Sequence, residues 1–225
     1  MRPRLLDLFC GAGGAAMGYH RAGFDVVGVD IAEQPNYPYM FVLSDALDYL
    51  RRHGRNYDAV HLSPPCQRYS TMTADPSRHP DLIGSAREIV AALGVPYVIE
   101  NVPGAPLDDP VRLCGSSFSL GVRRHRNFEA NFDIPALDCN HRAQGTPLGV
   151  YGQHPDRMQH WRPSGQSRGI KARTLYEGQW AMGGIHWMTW PELAESIPPA
   201  YTEHIGRQLL HHIETLPLPE PKETP

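Results

Sequence analysis

Apolar runs broken by glycine, proline and acidic residues recur along the first hundred positions. Arg4-Leu-Leu-Asp-Leu-Phe9 reads as a compact buried strand, Cys10-Gly-Ala-Gly-Gly14 as a tight turn, and Ala15 to Ala22 as a helix closed by Gly23. Asp25-Val-Val-Gly-Val-Asp30 is a second strand, β-branched and ending in an acid. Phe41-Val-Leu43 is a short third, followed by Ser44-Asp45 and a helix through Arg52. Ala59-Val-His-Leu62 is a fourth, stopped by Ser63-Pro64-Pro65. Leu82, Ile83, Ala86, Ile89, Val90 and Leu93 recur at helical spacing up to Gly94-Val-Pro96, and Tyr97-Val-Ile-Glu100 is the next strand. Strand and helix alternate over short connections, which predicts an α/β fold with a parallel sheet covered by helices on both faces.

Beyond Gly121 the pattern changes. Asn131 to His186 is rich in Gly, Pro, His, Arg and Gln and has little periodicity, so a small irregular second lobe with short strands is expected. Thr189-Trp-Pro-Glu192 has capping-box spacing and predicts a short helix to about Ser196. Pro198-Pro199 open a last helix with Ile205, Leu209 and Ile213 on one side. The proline-rich stretch 217–225 is expected to be a disordered tail.

Composition narrows the class. With 41% hydrophobic and 20% charged residues among 225, the chain reads as one globular domain with a small lobe. No apolar run approaches a membrane span, and Met1-Arg-Pro-Arg4 leads into a strand without a signal-peptide core. A monomer without a membrane partner is expected. Cys10, Cys66, Cys114 and Cys139 lie far apart, which favours a reducing compartment over a disulfide framework. Cys139-Asn-His141 has Cys114, His154 and His160 elsewhere in the chain. One Cys-x-His without a second close pair makes no zinc signature, so ordinary core and surface roles are expected, and no metal. The formal charge is −3, but 121–173 carries nine basic residues against four acids, a net +5 that suits phosphate contacts on one lobe. By charge alone, a solvated face is the commoner reason for such a run. Trp161, Trp180, Trp187 and Trp190 can stack on bases, although packing of the small lobe accounts for most of them.

Four stretches carry chemistry. Cys66 follows paired prolines on a stiff turn at a strand end, which suits a nucleophile because little ordering entropy remains to be lost on attack. The glycine turn lets a ligand approach the backbone and the following helix N-terminus. Asp30 ends the second strand, where a carboxylate can take ribose hydroxyls, and Asp45 ends the third, where it can accept from an adenine amino group. Glu100 ends a strand on the same rim as Cys66, and Arg124 and Arg126 share one face if a strand begins there.

Asp7-Leu-Phe-Cys-Gly-Ala-Gly-Gly14, Ser63-Pro-Pro-Cys-Gln-Arg-Tyr-Ser70, Glu100-Asn-Val102 and Arg124-His-Arg126, taken in this order, resemble the cytosine-C5 DNA methyltransferase family. The resemblance covers nearly the whole chain and implies a Rossmann-like S-adenosylmethionine-dependent methyltransferase sheet. It assigns 1–130 and 187–216 to a catalytic domain and 131–186 to a short basic target-recognition lobe. The cofactor it implies is S-adenosylmethionine, held around Asp7, Phe9, Gly11, Gly13, Gly14, Asp30, Ile31, Asp45 and Pro64. Cys66 resembles the nucleophile that adds to cytosine C6, Glu100 the residue that contacts ring N3 and the exocyclic amine, and Arg126 the arginine on O2, supported by Arg124. Pro65, Gln67, Ser70, Asn101 and Arg123 would face the base or DNA. The implied setting is the cytoplasm of a bacterial or phage-infected cell, with restriction-modification as one role. Three features depart from the family: the short insert, Pro198-Pro-Ala-Tyr-Thr-Glu203 in place of a Gly-Asn-Ser run, and Val122 in place of a glutamine. For the second of these, a structural role and one donor contact are carried over. An RNA (tRNA-type) cytosine methyltransferase, a non-catalytic DNA- or cofactor-binding protein on this scaffold, and a donor with a larger transferable group are the competing readings.

Overall fold

Alternate residues of the first strand, Arg4–Leu8 (β1), enter two different cores. Leu5 points to one face, and Leu6 and Leu8 to the other, as the two-residue period of a strand requires. The computed structural model describes residues 1–71, 73–152 and 170–216. The strands Asp25–Asp30 (β2), Met40–Leu43 (β3), Ala59–Leu62 (β4) and Tyr97–Asn101 (β5) run parallel to β1. Val111–Leu113 (β6) and Arg126–Ala130 (β7) complete the sheet in the order β3-β2-β1-β4-β5-β7-β6. The sheet is therefore mixed, because β7 pairs antiparallel with both β5 and β6. The three-residue β6, Val-Arg-Leu, has no apolar run to announce it.

Helices cover both faces, as expected. Gly14–Ala22 (α1) and the last helix share a core with Leu5, while Ala46–His53 (α2) and Ile83–Leu93 (α3) pack on the Leu6 and Leu8 face. The second lobe holds His141–Gln144 (α4), the two-residue strands Leu148–Gly149 (β8) and Ile170–Lys171 (β9), and Leu175–Ala181 (α5). Trp190–Glu195 (α6) carries the expected capping box, and Pro199–Thr215 (α7) returns to the sheet. The α1–α7 contact is close because Gly18 has no side chain: a Cβ there would strike the Thr202 hydroxyl and the Pro199 carbonyl. Val150, Met182, Ile185, Met188 and Trp190 form a third core that also takes in Ala12 of the glycine turn. The Trp187 indole N–H donates to the Ala12 carbonyl at 2.8 Å, so the lobe is anchored to that turn. Arg157, Arg162, Arg168, His154, His160, Trp161 and the 217–225 tail lie outside the described residues. Among the described residues no helix is long and apolar enough to cross a membrane.

Candidate active site

Strand order reverses between β1 and β4: the chain runs outward from β1 to β2 and β3, then returns to the other side for β4 and β5. A crevice opens at the carboxyl ends of strands where the order reverses. Here it is a cleft of about 1760 Å³, larger than a single small-molecule pocket usually is, with the glycine turn on one wall and Ser63 to Ser70 on the other.

In the glycine turn behind the first wall Gly11 and Gly13 have φ of +47° and +84°, which glycine adopts without strain. Asp30 accepts from the Gly11 N–H at 3.1 Å and from the Ala32 N–H at 3.0 Å, tying the end of β2 to the turn. Asp7, buried in β1, faces the cleft floor, and neither carboxyl oxygen has a hydrogen-bond partner. Burial first, then the charge of Asp30, pushes its pKa well above the ordinary carboxylate range, and the nearby Ala16 N–H only tempers this. An orphaned buried carboxyl of this kind fits a ligand that brings a cationic donor.

On the second wall Cys66 is half-buried, and its carbonyl accepts the N–H groups of both Tyr69 and Ser70. Burial raises the thiol's pKa and Arg126 lowers it. Arg126 Nε lies 3.0 Å from Glu100 Oε1, close enough for an ion pair but off the hydrogen-bonding direction, so Oε1 has no hydrogen-bond donor. Burial raises the Glu100 pKa, against Arg126, a hydrogen bond from Ser63 and the charge of Arg124. Behind it runs a buried chain: Tyr19 Oη to His61 Nδ1 at 2.9 Å, then His61 Nε2 to Ser63 Oγ at 2.9 Å. Burial forces the His61 pKa down to about 3, so the ring is neutral and has one donor and one acceptor. With Tyr19 donating to Nδ1, the Nε2–H donates to Ser63, whose hydroxyl is left to donate to Glu100. His61 and Ser63 were not anticipated as site residues. The signal is a polar His61 inside an otherwise apolar strand, with Ser63 two positions on, just past the strand's end.

Arg124 acts through its neighbours. It donates to the Val150 carbonyl at 2.9 Å and to the Ala194 carbonyl, joining the second lobe to α6. Burial and Arg126 lower its pKa to about 9, which still leaves a cation at neutral pH. Its φ of +36° is unusual for a residue with a side chain. The turn is held by Tyr201, whose hydroxyl lies 3.1 Å from the Arg123 carbonyl and 2.9 Å from that of Arg124, and by the Gly115 N–H on the Arg123 carbonyl at 2.7 Å. Through Tyr201 the 198–203 stretch holds this turn, and the cleft lining reaches Ile197 without including a residue of 198–203.

The cleft brings together Asp7, Phe9, Gly11, Gly14, Asp30, Ile31, Pro64, Pro65, Cys66, Gln67, Ser70, Glu100, Arg123, Arg124 and Arg126. Three expected residues stand elsewhere. Gly13 lies against Tyr37 and Pro38. Asp45 caps α2, its Oδ1 accepting the Asp48 N–H at 2.8 Å. Asn101 is buried, and its amide braces the Pro64 carbonyl at 2.9 Å, so it shapes the Cys66 turn instead of facing DNA. Of the cysteines and histidines expected in ordinary roles, Cys114, Cys139 and His141 gather with His125, their ligand atoms within 4.8 Å of one another.

No family model matches the chain. It is 26% identical over 205 residues to the Type II methyltransferase M.AquIA of Picosynechococcus sp., covering 76% of this chain and 82% of that one. It is 34% identical over 146 residues to the Type II methyltransferase M.XorII of Xanthomonas oryzae pv. oryzae, covering 56% of this chain but only 31% of that protein. Among solved structures, a putative DNA modification methyltransferase encoded in an E. coli prophage superposes with a TM-score of 0.61 at 15% identity, over 95% of this chain and 100% of the other. The S. pombe Dnmt2 methyltransferase gives 0.62 at 12% identity, over 94% and 99%. The mixed, mostly parallel α/β sheet with helices on both faces is thus the fold of these methyltransferase structures.

Proposed function

We propose that the chain transfers the methyl group of S-adenosylmethionine to C5 of a cytosine in DNA through a covalent Cys66–C6 intermediate. The observation that carries this reading is the meeting of Cys66, the Glu100–Arg126 pair and the unpartnered Asp7 carboxyl on one cleft at the strand-order reversal. The similarity to proteins named as Type II methyltransferases supports the reaction class, and the prophage neighbour titled a DNA modification methyltransferase agrees with a DNA substrate.

Asp7 would take the donor's ammonium group, which favours the ionised carboxylate that burial otherwise disfavours, and Asp30 the ribose hydroxyls. S-adenosylmethionine supplies an electrophilic methyl group on a sulfonium. The Cys66 thiol passes its proton to water and the thiolate adds to C6, so that the electron pair of the C5–C6 double bond spreads over C5 and N3. Glu100, with its raised pKa, gives a proton to N3 and accepts from the exocyclic amine through Oε1, while Arg126 holds O2. The electron-rich C5 would be placed to take that methyl group, the pair of the broken sulfonium–methyl bond staying with the donor sulfur. Loss of the C5 proton to water and of the N3 proton back to Glu100 expels the Cys66 sulfur. The base must leave the stack for this geometry, and residues 67–71, on the cleft wall, would close over it.

The test is expression in a heterologous host followed by bisulfite sequencing and mass spectrometry of the nucleosides. 5-Methylcytosine in a fixed sequence context is expected. DNA containing 5-fluorocytosine should trap a covalent adduct with the parent chain and none with Cys66→Ala. Methylation of tRNA in preference to DNA, or Cys66→Ala turning over at more than about a thousandth of the parent rate, would overturn the reading.

A further inference from the structure

We propose that Cys114, His125, Cys139 and His141 bind a structural zinc ion. Each offers one ligand atom, and the four atoms lie within 4.8 Å of one another. Cys114 Sγ is 3.3 Å from His141 Nε2, and Cys139 Sγ is 3.4 Å from His125 Nε2. Zinc bonds of about 2.3 Å to sulfur and about 2.0 Å to nitrogen place tetrahedral ligand atoms roughly 3.3–3.8 Å apart, so the two sulfur–nitrogen spacings match a four-coordinate site and the wider ones would draw in by about 1 Å on binding.

The sheet explains how ligands so far apart in sequence meet. Leu113 pairs with Arg126 across the β6–β7 ladder, so Cys114 and His125 are the next residues facing each other. The Cys139-Asn-His141 segment closes the other side, with Asn140 capping α4. The Asn140 N–H donates to Ser116 Oγ at 3.0 Å, which leaves that hydroxyl free to donate to Cys114 Sγ, 3.1 Å away. A hydrogen bond to a ligand sulfur is the kind of support that orients metal ligands. Binding would release one proton from each thiol, and the two thiolates would neutralise the dication. All four positions would be filled by protein, which makes the ion a brace and not a reagent. Its place indicates what it braces. His125 stands between Arg124 and Arg126, in the turn whose backbone has an unfavourable φ.

Chain reconstituted with Zn2+ alone in reducing buffer should keep about one zinc per chain through gel filtration, as read by elemental mass spectrometry. Co2+ in its place should give the visible spectrum of a tetrahedral thiolate-bound ion. Cys139→Ser, at an exposed position, should lower retained zinc at least about tenfold, and so should His141→Ala. The unsubstituted chain gives a readout that needs no variant. Cys139, although exposed, should resist alkylation until a chelator removes the metal, whereas the rate at Cys66 should not change. A parent chain that holds no zinc, or that alkylates Cys139 equally fast with and without chelator, overturns the site, as does Cys139→Ser holding zinc like the parent. None of these measurements involves methyl transfer, so the metal site stands or falls apart from the proposed activity.

Discussion

Around the glycine turn the buried Asp7 has no partner, whereas across the cleft Glu100 already has Arg126 at 3.0 Å and a hydroxyl chain behind it. The first wall lacks a countercharge for its buried carboxyl, whereas on the second the charges are paired before any ligand arrives and Glu100 Oε1 is left open to a donor. The difference suits the two tasks that we propose for them. A wall that must capture a cationic donor can carry an unpaired carboxyl, which costs stability but gives a bound ammonium more than surface charge would. A wall that stabilises charge developing in a ring works best with fixed groups, since reorganisation during reaction would raise the barrier.

The sharpest way to separate the two walls is Glu100→Gln. The amide keeps the shape and an acceptor oxygen but cannot donate a proton to N3, so kcat should fall by about 10²–10³ while cofactor affinity is retained. Single-turnover methylation and a cofactor titration on the same variant read both. A loss of cofactor binding in place of turnover would show that the walls are not independent.

Asp7→Asn acts on the other wall, with effects in two directions. S-adenosylmethionine affinity should drop about tenfold or more, because the countercharge for the ammonium is gone. The ligand-free chain should become more stable by about 1–3 kcal/mol at neutral pH. The sign follows from the raised pKa of Asp7: the fold favours its protonated form, so its cost is absent below the unfolded carboxyl pKa and grows as pH rises. The stability gain in the variant should therefore vanish in acid, as read by denaturant unfolding across pH.

The fold was legible in the sequence wherever an apolar run met a glycine or proline stop, which covers all five parallel strands and the helices between them. The helix α5 has no clear apolar period because Gly178 interrupts it, although Thr174 and Glu177 repeat the Thr-x-x-Glu spacing of Thr189 and Glu192. Cys66, Glu100 and Arg126 were legible because each ends or begins a strand on one rim. The four-residue metal cluster was not, since its ligands meet only once β7 turns antiparallel against β6, and no local spacing encodes that pairing.

His61 lies behind both walls, bonded toward α1 through Tyr19 and toward Glu100 through Ser63. Its folded pKa of about 3 lies below the ordinary value of about 6.5. Between these pH values the unfolded chain binds a proton that the folded ring refuses. This contribution is fully present above about pH 6.5 and falls away toward pH 3, with a slope of up to about 1.4 kcal/mol per pH unit. Asp7 and Glu100, whose pKa values are raised, slope the other way, so the difference between the parent and His61→Gln isolates the ring. The variant should lose less stability on acidification than the parent. Equal acid limbs would place His61 in contact with solvent, and the network would then not be a fixed support for Glu100.

The smallest expected effect is also the one that redraws the boundary of the first wall. Asp45 lies two residues past β3, where the sequence predicts an adenine contact, yet its carboxylate caps α2 and does not line the cleft. Replacing an N-cap acid with alanine costs about 1 kcal/mol, so Asp45→Ala should lower stability by that amount and leave S-adenosylmethionine affinity within about twofold. Asp45→Asn retains a capping side chain and should recover most of the loss. If Asp45→Asn instead weakened the cofactor about tenfold at unchanged stability, the carboxylate would be a ligand contact after all. The first wall would then extend from the glycine turn to the edge of the sheet, and Asp7 would no longer be its main anionic anchor.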